Sequence, residues 1–454
     1  MSMMAQQRDD RAVPLDNLVV GLGATGLSVA RHLAARGESF AVADSRAEPP
    51  GLARLKVECS PLEIHLGAFD RSLFHRARRL IVSPGVAVSS PAIQEAQAAG
   101  AEVLGDIELF ARCARAPVIA ITGSNGKSTV TSLVGEMAQR AGLRVAVGGN
   151  LGTPALDLLD EPEPDLYVLE LSSFQLETTD SLAPRAAVVL NVSPDHLDRY
   201  ESLDAYARAK ARVYSHAGHC VVNRDDPLAA ALADECPATG FGLAPPAVPG
   251  DYGLCEIDGT HWLVQGGRSL LAANELRMAG RHNLANALAA LALGSEAGLP
   301  EAAMLAALRD FPGLPHRCQW IGSHRGADWY NDSKGTNVGA TLAAIQGLDG
   351  ALVLIAGGQA KGQDFAPLRE ALAGRARGVV LIGVDAPRLR DALAGIAPLI
   401  DATDMDDAVR AAAALAQPGD RVLLSPACAS LDMYASYVAR GDDFVRAFGE
   451  VSRG

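Results

Sequence analysis

The segment that most restricts how this chain can fold is a short glycine loop between an apolar run and a helical pattern. The run covers residues 117–121, the helical pattern covers residues 129–137, and the loop reads Gly123, Ser124, Asn125, Gly126, Lys127, Ser128 and Thr129. A strand, a glycine loop and a helix in this order direct backbone N–H groups and a helix N-terminus at phosphate. An ordinary glycine turn with an incidental Lys-Ser pair would not explain the flanking elements. The loop therefore predicts a nucleotide-binding α/β fold.

The side chains of the loop indicate the kind of nucleotide. Lys127 would neutralise charge on the β- and γ-phosphates, and the Ser128 hydroxyl would be placed to bind Mg2+. Ile121 stands where the longer form of this loop has its first glycine, which argues against an ordinary GTPase or small-molecule kinase. We expect the chain to bind ATP.

Composition limits the remaining function classes. The 454 residues carry a formal net charge of −13 and are 49% hydrophobic, which indicates a globular protein of roughly two to four domains. We expect no nucleic-acid or membrane partner, because the net charge is negative and no basic block compensates it. Seven dispersed cysteines predict reduced thiols, and residues 1–17 lack the apolar region of a signal peptide. These features favour a cytoplasmic protein.

The N-terminal block contains a second glycine turn. Gly21, Gly23 and Gly26 stand between an apolar run and a helical pattern, and Asp44 ends the next apolar run. This spacing is typical of a dinucleotide site, although it demands only a nucleotide-like anion. Asp44 and Arg46 could hold a ribose or a base, and a further turn at residues 83–86 follows a third apolar run. An NAD-dependent oxidoreductase is one function that this block leaves open.

Two further blocks complete the chain. Apolar runs without alternation, separated by helical patterns, predict parallel sheets covered on both faces. Residues 238–267 are rich in Gly and Pro and predict a small β excursion. We expect an α/β fold of three domains, namely a Rossmann-like N-terminal domain over 1–105, a central P-loop ATPase-type parallel sheet domain over 106–313 and a Rossmann-like C-terminal domain over 314–454.

Three residues of the central block suggest chemistry. Glu170 ends an apolar strand, where a buried carboxylate needs a cation; the options are Mg2+ or a basic side chain. His196 follows a strand among acidic neighbours and is either a structural group or a ligand for metal or phosphate. Lys210 lies on an apolar helical stripe, so its amine either snorkels, meets an anion, or is converted by CO2 to a metal-binding carbamate.

Three loops of the C-terminal block each begin or end near a predicted strand. They cover residues 331–337, 357–362 and 425–431 and contain lysines and hydroxyl groups. Together at one edge of a sheet, such groups would suit a small dicarboxylate.

Taken together, the phosphate loop and residues 170–177, 195–200, 331–337 and 425–431 closely resemble the Mur ligase family. The resemblance covers essentially the whole chain beyond the polar N-terminus. It implies an ATP-dependent ligase of peptidoglycan precursor synthesis that joins D-glutamate to UDP-N-acetylmuramoyl-L-alanine through an acyl phosphate. It further implies two Mg2+ ions, and we expect a monomer.

The same resemblance assigns roles to individual residues. It implies that Lys127, Glu170, His196 and Lys210 are catalytic, that Ser128 and Glu170 hold one Mg2+, and that His196 and carbamylated Lys210 hold the second. Outside the loop, ATP would contact Asn283, Asn286, Arg317 and Asp332. The UDP substrate would contact Thr25, Asp44, Arg46, Ser83, Gly85 and Asn150. Glutamate would contact Thr336, Lys361, Ser430, Leu431 and Tyr437.

Some positions depart from the commonest family pattern. Ser124 stands where Thr is frequent and Gly335 where Ala is usual, and neither change removes a charge or a ligand. Tyr437 stands where Phe is found. A folylpolyglutamate synthase-like ligase is the nearest alternative, and the N-terminal glycine-rich block argues against it. A catalytically silent nucleotide-binding module does not account for the charged groups.

Overall fold

The structure is a computed structural model that describes residues 14–159, 162–196, 199–233, 236–278, 280–360 and 362–453. Within these ranges, no helix combines the length and the apolar character that a membrane span requires. Strands and helices alternate along the chain and build three sheets, as the sequence predicts.

The first sheet is entirely parallel. Its strands are β1 (Leu15–Val20), β2 (Phe40–Asp44), β3 (Ile64–Leu66), β4 (Ala77–Val82) and β5 (Glu102–Leu104), in the order β3-β2-β1-β4-β5. The accompanying helices are α1 (Ala24–Ala35), α2 (Leu52–Glu58), α3 (Arg71–Arg76), α4 (Pro91–Ala98) and α5 (Asp106–Ala111). The predicted glycine turn lies between β1 and α1, at the carboxyl end of the central strand.

The second sheet combines parallel strands with an antiparallel extension. Its strands are β6 (Val118–Thr122), β7 (Val145–Gly149), β8 (Leu166–Glu170), β9 (Ala186–Val189), β10 (Cys220–Asn223), β11 (Ala238–Phe241), β12 (Tyr252–Ile257), β13 (Thr260–Gln265) and β14 (Arg268–Ala272). Their order is β14-β13-β12-β11-β10-β9-β6-β8-β7. Strands β12, β13 and β14 pair antiparallel and confirm the predicted β excursion.

The helices of this region follow the predicted pattern with small shifts of their ends. They are α6 (Lys127–Arg140), α7 (Ser173–Leu176), α8 (Leu203–Ala211), α9 (Pro227–Ala230), α10 (Arg281–Glu296) and α11 (Glu301–Asp310). Short 3-10 segments cover Ala155–Leu158, Arg212–Tyr214 and Ala273–Glu275. Helix α6 begins at Lys127, so the lysine of the glycine loop is also the first residue of the helix.

The third sheet has an apolar layer on each face. Its strands are β15 (Gln319–His324), β16 (Ala327–Asn331), β17 (Leu352–Gly357), β18 (Ala376–Ile382), β19 (Leu399–Asp401) and β20 (Arg421–Leu424), in the order β15-β16-β20-β17-β18-β19. Along β17, Leu352 and Leu354 enter one hydrophobic cluster and Val353 and Ile355 enter another. This confirms the prediction of a sheet covered on both faces. Strand β15 runs antiparallel to β16, and the other pairs of described strands in this sheet are parallel.

Five helices accompany the third sheet in the described part of the chain. They are α12 (Val338–Gly347), α13 (Ala366–Leu372), α14 (Ala386–Leu393), α15 (Met405–Leu415) and α16 (Tyr437–Arg453). By contact density the molecule divides into two compact units. The first comprises the described residues up to 120 with 145–184 and 215–217, and the second comprises 121–144, 185–214 and the described residues from 218 onward.

One prediction from cysteine usage is wrong. Cys220 and Cys236 form a disulfide with a Cα–Cα distance of 5.9 Å. Cys220 begins β10, and its backbone N–H donates to the Pro237 carbonyl in the approach to the adjacent strand β11. Strand pairing therefore brings together two thiols whose spacing of 16 residues gives no local indication of a bridge. The other five cysteines are free.

Candidate active site

The glycine loop of the second unit has a backbone that only small residues allow. Gly126 has φ +84°, and a Cβ added there would lie 2.5 Å from Asn286 Oδ1. Gly123 has φ +148°, and a Cβ there would lie 3.0 Å from Leu190 Cβ. The loop thus fits against α10 and the end of β9 because neither glycine carries a side chain.

Hydrogen bonds hold the loop to the segment after β9. The Asn125 backbone N–H donates to Asn191 Oδ1 at 2.8 Å, and Asn191 Nδ2 donates to the Asn125 carbonyl at 3.1 Å. The Ser193 N–H donates to Ser124 Oγ at 3.0 Å. The serine at position 124 therefore keeps the hydroxyl function that a threonine would supply. A loop fixed in this way is pre-organised for an anion.

Two lysine ammonium groups converge on one backbone carbonyl of the loop. Lys127 Nζ and Lys210 Nζ each donate to the Gly123 oxygen at 2.9 Å, so the two nitrogens are no more than about 6 Å apart. Lys210, on α8, is only 1% exposed and lies 4.4 Å from the Tyr206 ring centroid. The prediction that Lys210 faces inward is confirmed. The two ammonium groups therefore lie at the same point of the loop.

A cavity of about 290 Å3 opens beside the loop in the second unit. Its lining includes Asn125, Gly126, Thr129, Asn283, Asn286, Arg317, Asp332 and Lys334. The four residues assigned to ATP outside the loop are therefore grouped beside it. Arg317 Nη2 donates to Ser128 Oγ at 2.6 Å, which places a guanidinium at the first turn of α6. Leu190, Val192 and Phe241 add apolar surface to this lining, and apolar surface beside polar groups suits a nucleotide base.

Asp332 is the buried carboxylate of this cavity. It follows β16, and its oxygens accept from the Cys318 N–H at 3.0 Å and from Ser425 Oγ at 2.7 Å. Burial raises the pKa of Asp332 to about 7, although these hydrogen bonds and the charge of Arg317 act in the opposite direction.

His196 lies after β9 in the segment that anchors the loop. It has φ +55°, and its Nε2 is 3.7 Å from Asp195 Oδ2. Asn337 at the start of α12 donates to Asp195 Oδ2 at 3.1 Å and is 3.4 Å from Asn125 Oδ1. The second unit thus brings together Lys127, Ser128, Lys210 and the segment that carries His196.

Glu170 and Asn150 form a separate pair in the first unit. Glu170 ends β8 with 3% exposure, and its Oε1 accepts from Asn150 Nδ2 at 2.7 Å. The Asn150 N–H also donates to the Glu170 carbonyl at 2.8 Å. The buried carboxylate predicted from the sequence is confirmed. In the described ranges, no group of three or more His, Cys, Asp or Glu side chains is arranged as a metal site.

The first glycine turn is closed by Asp44. Its two oxygens accept four hydrogen bonds, one from the Leu22 N–H and three from the backbone and guanidinium of Arg46. Burial alone would raise the pKa of Asp44, but the bonds from Arg46 and Leu22 lower it to about 2. The acceptor capacity of the carboxylate is filled by the chain itself. The half-exposed Arg46 is the group that this turn presents to solvent.

The remaining residues assigned to the UDP substrate surround the same turn. Ser83 Oγ donates to the Gly21 carbonyl at 2.9 Å, Thr25 is half-buried in the first turn of α1, and Gly85 is exposed in the turn after β4. A Cβ at Gly26 would lie 1.9 Å from the Gly21 oxygen, so this turn too requires glycine.

The three predicted C-terminal loops follow strands β16, β20 and β17, which are neighbours in the sheet. Gln359 and Ala429 exchange two backbone hydrogen bonds, which join the loop 357–362 to the loop 425–431. Lys334 Nζ lies 3.9 Å from the centroid of the Tyr437 ring.

Of the residues assigned to glutamate, four lie in or beside these loops. Ser430 is buried, Thr336 and Tyr437 are half-buried, and Leu431 is 68% exposed. Lys361 lies outside the described residues.

Sequence reasoning missed two polar residues that join the elements of this region. Asn337 was part of a recognised segment but received no role. Arg440 is 1% exposed on α16. It precedes the buried residues Phe444 and Phe448 at helical spacing and so lies on the same buried face of the helix. A cation on an apolar helical stripe is the same pattern that identified Lys210, so it could have identified Arg440.

Models of three protein domains match successive segments of the chain. Residues 16–105 match the model for the Mur ligase MurD-like N-terminal domain, residues 121–294 the Mur ligase middle domain, and residues 316–428 the Mur ligase glutamate ligase domain. The chain is 59% identical over 442 residues to UDP-N-acetylmuramoylalanine–D-glutamate ligase of Nitrosococcus oceani, with 97% of each chain covered. It is 53% identical over 440 residues to the ligase of the same name from Pseudomonas aeruginosa, covering 96% of this chain and 98% of the relative.

Solved structures show the same fold at lower identity. MurF from Acinetobacter baumannii matches with a TM-score of 0.64 at 19% identity over 91% of each chain. UDP-N-acetylmuramate–alanine ligase MurC from Thermotoga maritima matches with a TM-score of 0.59 at 20% identity, covering 96% of this chain and all of the other.

Proposed function

Because this chain belongs to the Mur ligase family, we propose that it joins D-glutamate to UDP-N-acetylmuramoyl-L-alanine at the expense of ATP. The chain is an ATP-dependent ligase of peptidoglycan precursor synthesis. The choice of substrates rests on the printed names of relatives that share more than half of its residues over nearly full length.

The reaction divides into two displacements. An oxygen of the alanyl carboxylate attacks the γ-phosphorus of ATP, the bond to the β-phosphate oxygen breaks, and ADP leaves. The glutamate amine then attacks the acyl carbon of the acyl phosphate, the bond to the phosphate oxygen breaks, and the nitrogen loses a proton. Inorganic phosphate and the amide are the products. The first displacement joins two anions, so cationic groups at the phosphate loop would offset their repulsion.

The observation that supports this chemistry is the meeting of two lysines at the Gly123 carbonyl. Lys127 would pair with the phosphates. The Lys210 ammonium would lose a proton, its nitrogen would form a bond to the carbon of CO2, and a second proton would leave to give a carbamate. The carbamate keeps one N–H for the Gly123 carbonyl and replaces the second positive charge by a negative one. Its oxygens are hard ligands of the kind that Mg2+ prefers.

We further propose that Mg2+ is bound in two places. Ser128 and Glu170 would hold one ion, and His196 and carbamylated Lys210 would hold the other. When bound, Mg2+ neutralises charge that develops on phosphate oxygens. The donor set fits this role because a buried glutamate and a carbamate supply anionic oxygens and the Ser128 hydroxyl supplies a neutral one.

The substrate sites follow the three functional segments 1–105, 106–313 and 314–454. The UDP part would bind at the first glycine turn through Arg46, Thr25 and the turn around Ser83 and Gly85, with Asp44 holding Arg46 in place. Asn150 would meet the far end of this substrate. Glutamate would bind at the C-terminal loops through Thr336, Lys361, Ser430, Leu431 and Tyr437. We also propose that the protein acts in the cytoplasm as a monomer.

The two alternative functions lack support from the site. A pterin acceptor, as in a folylpolyglutamate synthase-like ligase, leaves the first glycine turn without a role. NAD binding would need a carboxylate that accepts from the ribose hydroxyls, and both oxygens of Asp44 are already engaged by the chain.

Phosphate release tests the proposal directly. The enzyme is incubated with ATP, Mg2+ and UDP-N-acetylmuramoyl-L-alanine, and each of a panel of D- and L-amino acids is added in turn. We expect sustained phosphate release and a new amide only with D-glutamate, and no release when the UDP substrate is omitted. A preference for another amino acid, or a change in nicotinamide absorbance without phosphate release, would overturn the assignment.

A further inference from the structure

Arg440 is buried in the first turn of the C-terminal helix α16, and its guanidinium donates hydrogen bonds to two loops. Its Nε donates to Ser333 Oγ at 3.0 Å, and its Nη2 donates to the Ser333 carbonyl at 2.8 Å. Nη1 and Nη2 both donate to the Cys428 carbonyl at 3.2 Å. One side chain therefore joins the loop after β16 to the loop after β20.

The guanidinium has no carboxylate partner within ion-pairing distance in the described ranges. Burial lowers the pKa of Arg440 to about 10, which leaves the side chain charged at neutral pH. A buried charge without an ion pair is costly, so hydrogen bonds must hold it in place. Apolar residues of similar size would fill this position at lower cost, which indicates that the bridge between the loops is what the arginine provides.

The two bridged loops carry the residues assigned to the substrates of the C-terminal block. Ser333 stands between Asp332, at the nucleotide cavity, and Lys334, which lies over the Tyr437 ring. Cys428 is two residues before Ser430. The Tyr437 carbonyl, one helical turn before Arg440, accepts from Ser333 Oγ at 2.8 Å. Arg440 thus binds the loop after β16 and the loop after β20 directly, and Ser333 connects the first of these loops to the start of α16.

We propose that Arg440 is a positioning residue that holds the loops after β16 and β20 and the start of α16 in the arrangement that binds the amino-acid substrate. The inference rests on the proposed function for the identity of that substrate. Arg440 acts through the two loops and does not touch the reacting atoms.

Two substitutions distinguish the hydrogen bonds of Arg440 from the packing of its side chain. Arg440→Met fills much of the volume but removes every donor, and Arg440→Lys keeps one charge but cannot reach both carbonyl oxygens with a planar fork. Arg446→Met on the same helix is the matched control, because Arg446 is half-exposed and forms ion pairs with three acidic residues near the surface. All three proteins are compared with wild type by thermal unfolding, steady-state kinetics and hydrogen exchange.

The kinetic expectation is a selective effect on one substrate. Arg440→Met should raise the KM for D-glutamate by roughly tenfold and leave the KM for ATP within about threefold. The single-turnover yield of acyl phosphate without glutamate, trapped as a hydroxamate, should stay near wild type. The KM of Arg440→Lys for D-glutamate should lie between those of wild type and Arg440→Met. Arg446→Met should have the wild-type KM. Equal changes in every KM, or none in that for glutamate, would overturn the proposal.

Hydrogen exchange keeps this test independent of the substrate assignment. Without any substrate, Arg440→Met should speed exchange of amides in 331–337 and 425–431 and leave the helix α6 unchanged. If the wild-type enzyme does not use D-glutamate but amide exchange in these loops is still faster in Arg440→Met, the substrate assignment fails and the positioning role stands. If glutamate is used and the loops exchange as in wild type, the positioning role fails.

Discussion

The chain contains two strand–turn–helix units built on glycine, and they differ in the charge that surrounds the turn. At the first, between β1 and α1, the nearby charges are Asp44 and Arg46, which pair with each other. At the second, between β6 and α6, the ammonium groups of Lys127 and Lys210 meet at one carbonyl and the Arg317 guanidinium reaches Ser128. Both turns can bind an anion, but the second brings three cationic side chains to its loop and first helical turn.

This difference in charge corresponds to a difference in function, because binding a phosphate requires less positive charge than transferring a phosphoryl group. A helix N-terminus and free N–H groups suffice to bind a diphosphate that does not react. Transfer of a phosphoryl group to another anion requires further positive charge where the two meet. Substitutions at the second turn should therefore reduce turnover, whereas those at the first should weaken binding of one substrate.

The largest effect is expected at Lys127. Lys127→Ala should lower kcat by about a thousandfold, because the loop loses the cation that pairs with the phosphates. Steady-state phosphate release measures the loss, and calorimetry should show unchanged binding of the UDP substrate to the first turn. Lys56→Ala, at an exposed lysine of α2, is the control and should behave as wild type. Turnover near wild type in Lys127→Ala would contradict the assigned role.

A smaller loss is expected at Lys210, and it should be partly reversible. Lys210→Ala should lower kcat by about a hundredfold, since a ligand is lost but the phosphate-binding lysine remains. Short carboxylic acids added to the assay should restore part of the activity by supplying the missing carboxylate, and they should not restore Lys127→Ala. Absence of rescue at any concentration, together with a bare amine in a high-resolution map, would dismiss the carbamate.

At the first turn, Arg46→Ala should raise the KM for the UDP substrate by roughly tenfold and leave kcat unchanged. Asp44→Asn should act in the same direction, because the neutral amide no longer holds the guanidinium from two sides. Arg54→Ala, at an exposed arginine of α2, is the control. A fall in kcat at constant KM would show that the two turns do not divide binding from transfer.

How far these features follow from sequence depends on whether the pattern is local. The loop from Gly123 to Thr129 and the inward position of Lys210 follow from consecutive or helically spaced residues. The structure confirms that the loop lies between a strand and a helix and that Lys210 is buried. The pairing of Glu170 with Asn150 depends on the register of β7 against β8, which joins residues 20 positions apart. Sequence indicates that each of these residues is unusual but not that they meet. The Cys220–Cys236 disulfide escaped prediction for the same reason.

The last expected effect concerns stability and not turnover, and it contrasts the buried carboxylates Asp44 and Asp332. Asp44 has a pKa lowered to about 2, so its stabilising contribution is present above its ordinary value of 3.8 and is lost as the pH falls from 3.8 to 2. Asp332 has a pKa raised to about 7, so the folded state keeps a proton that the unfolded state releases. Its contribution is full below pH 3.8 and declines as the pH rises to 7.

Calorimetric unfolding between pH 4 and 8 should therefore show a decline for wild type that Asp332→Asn makes smaller by on the order of a few kcal/mol. Part of the decline should remain, because burial also raises the pKa of Asp106, to about 6. Asp44→Asn should lower stability at neutral pH and leave that decline in place, since its own window lies at more acid pH. If both variants keep the same slope between pH 4 and 7, Asp332 is already ionised in the folded protein. The nearby positive charges of Arg317 and Arg440 would then stabilise the ionised carboxylate, and Asp332 would be charged at neutral pH as Asp44 is.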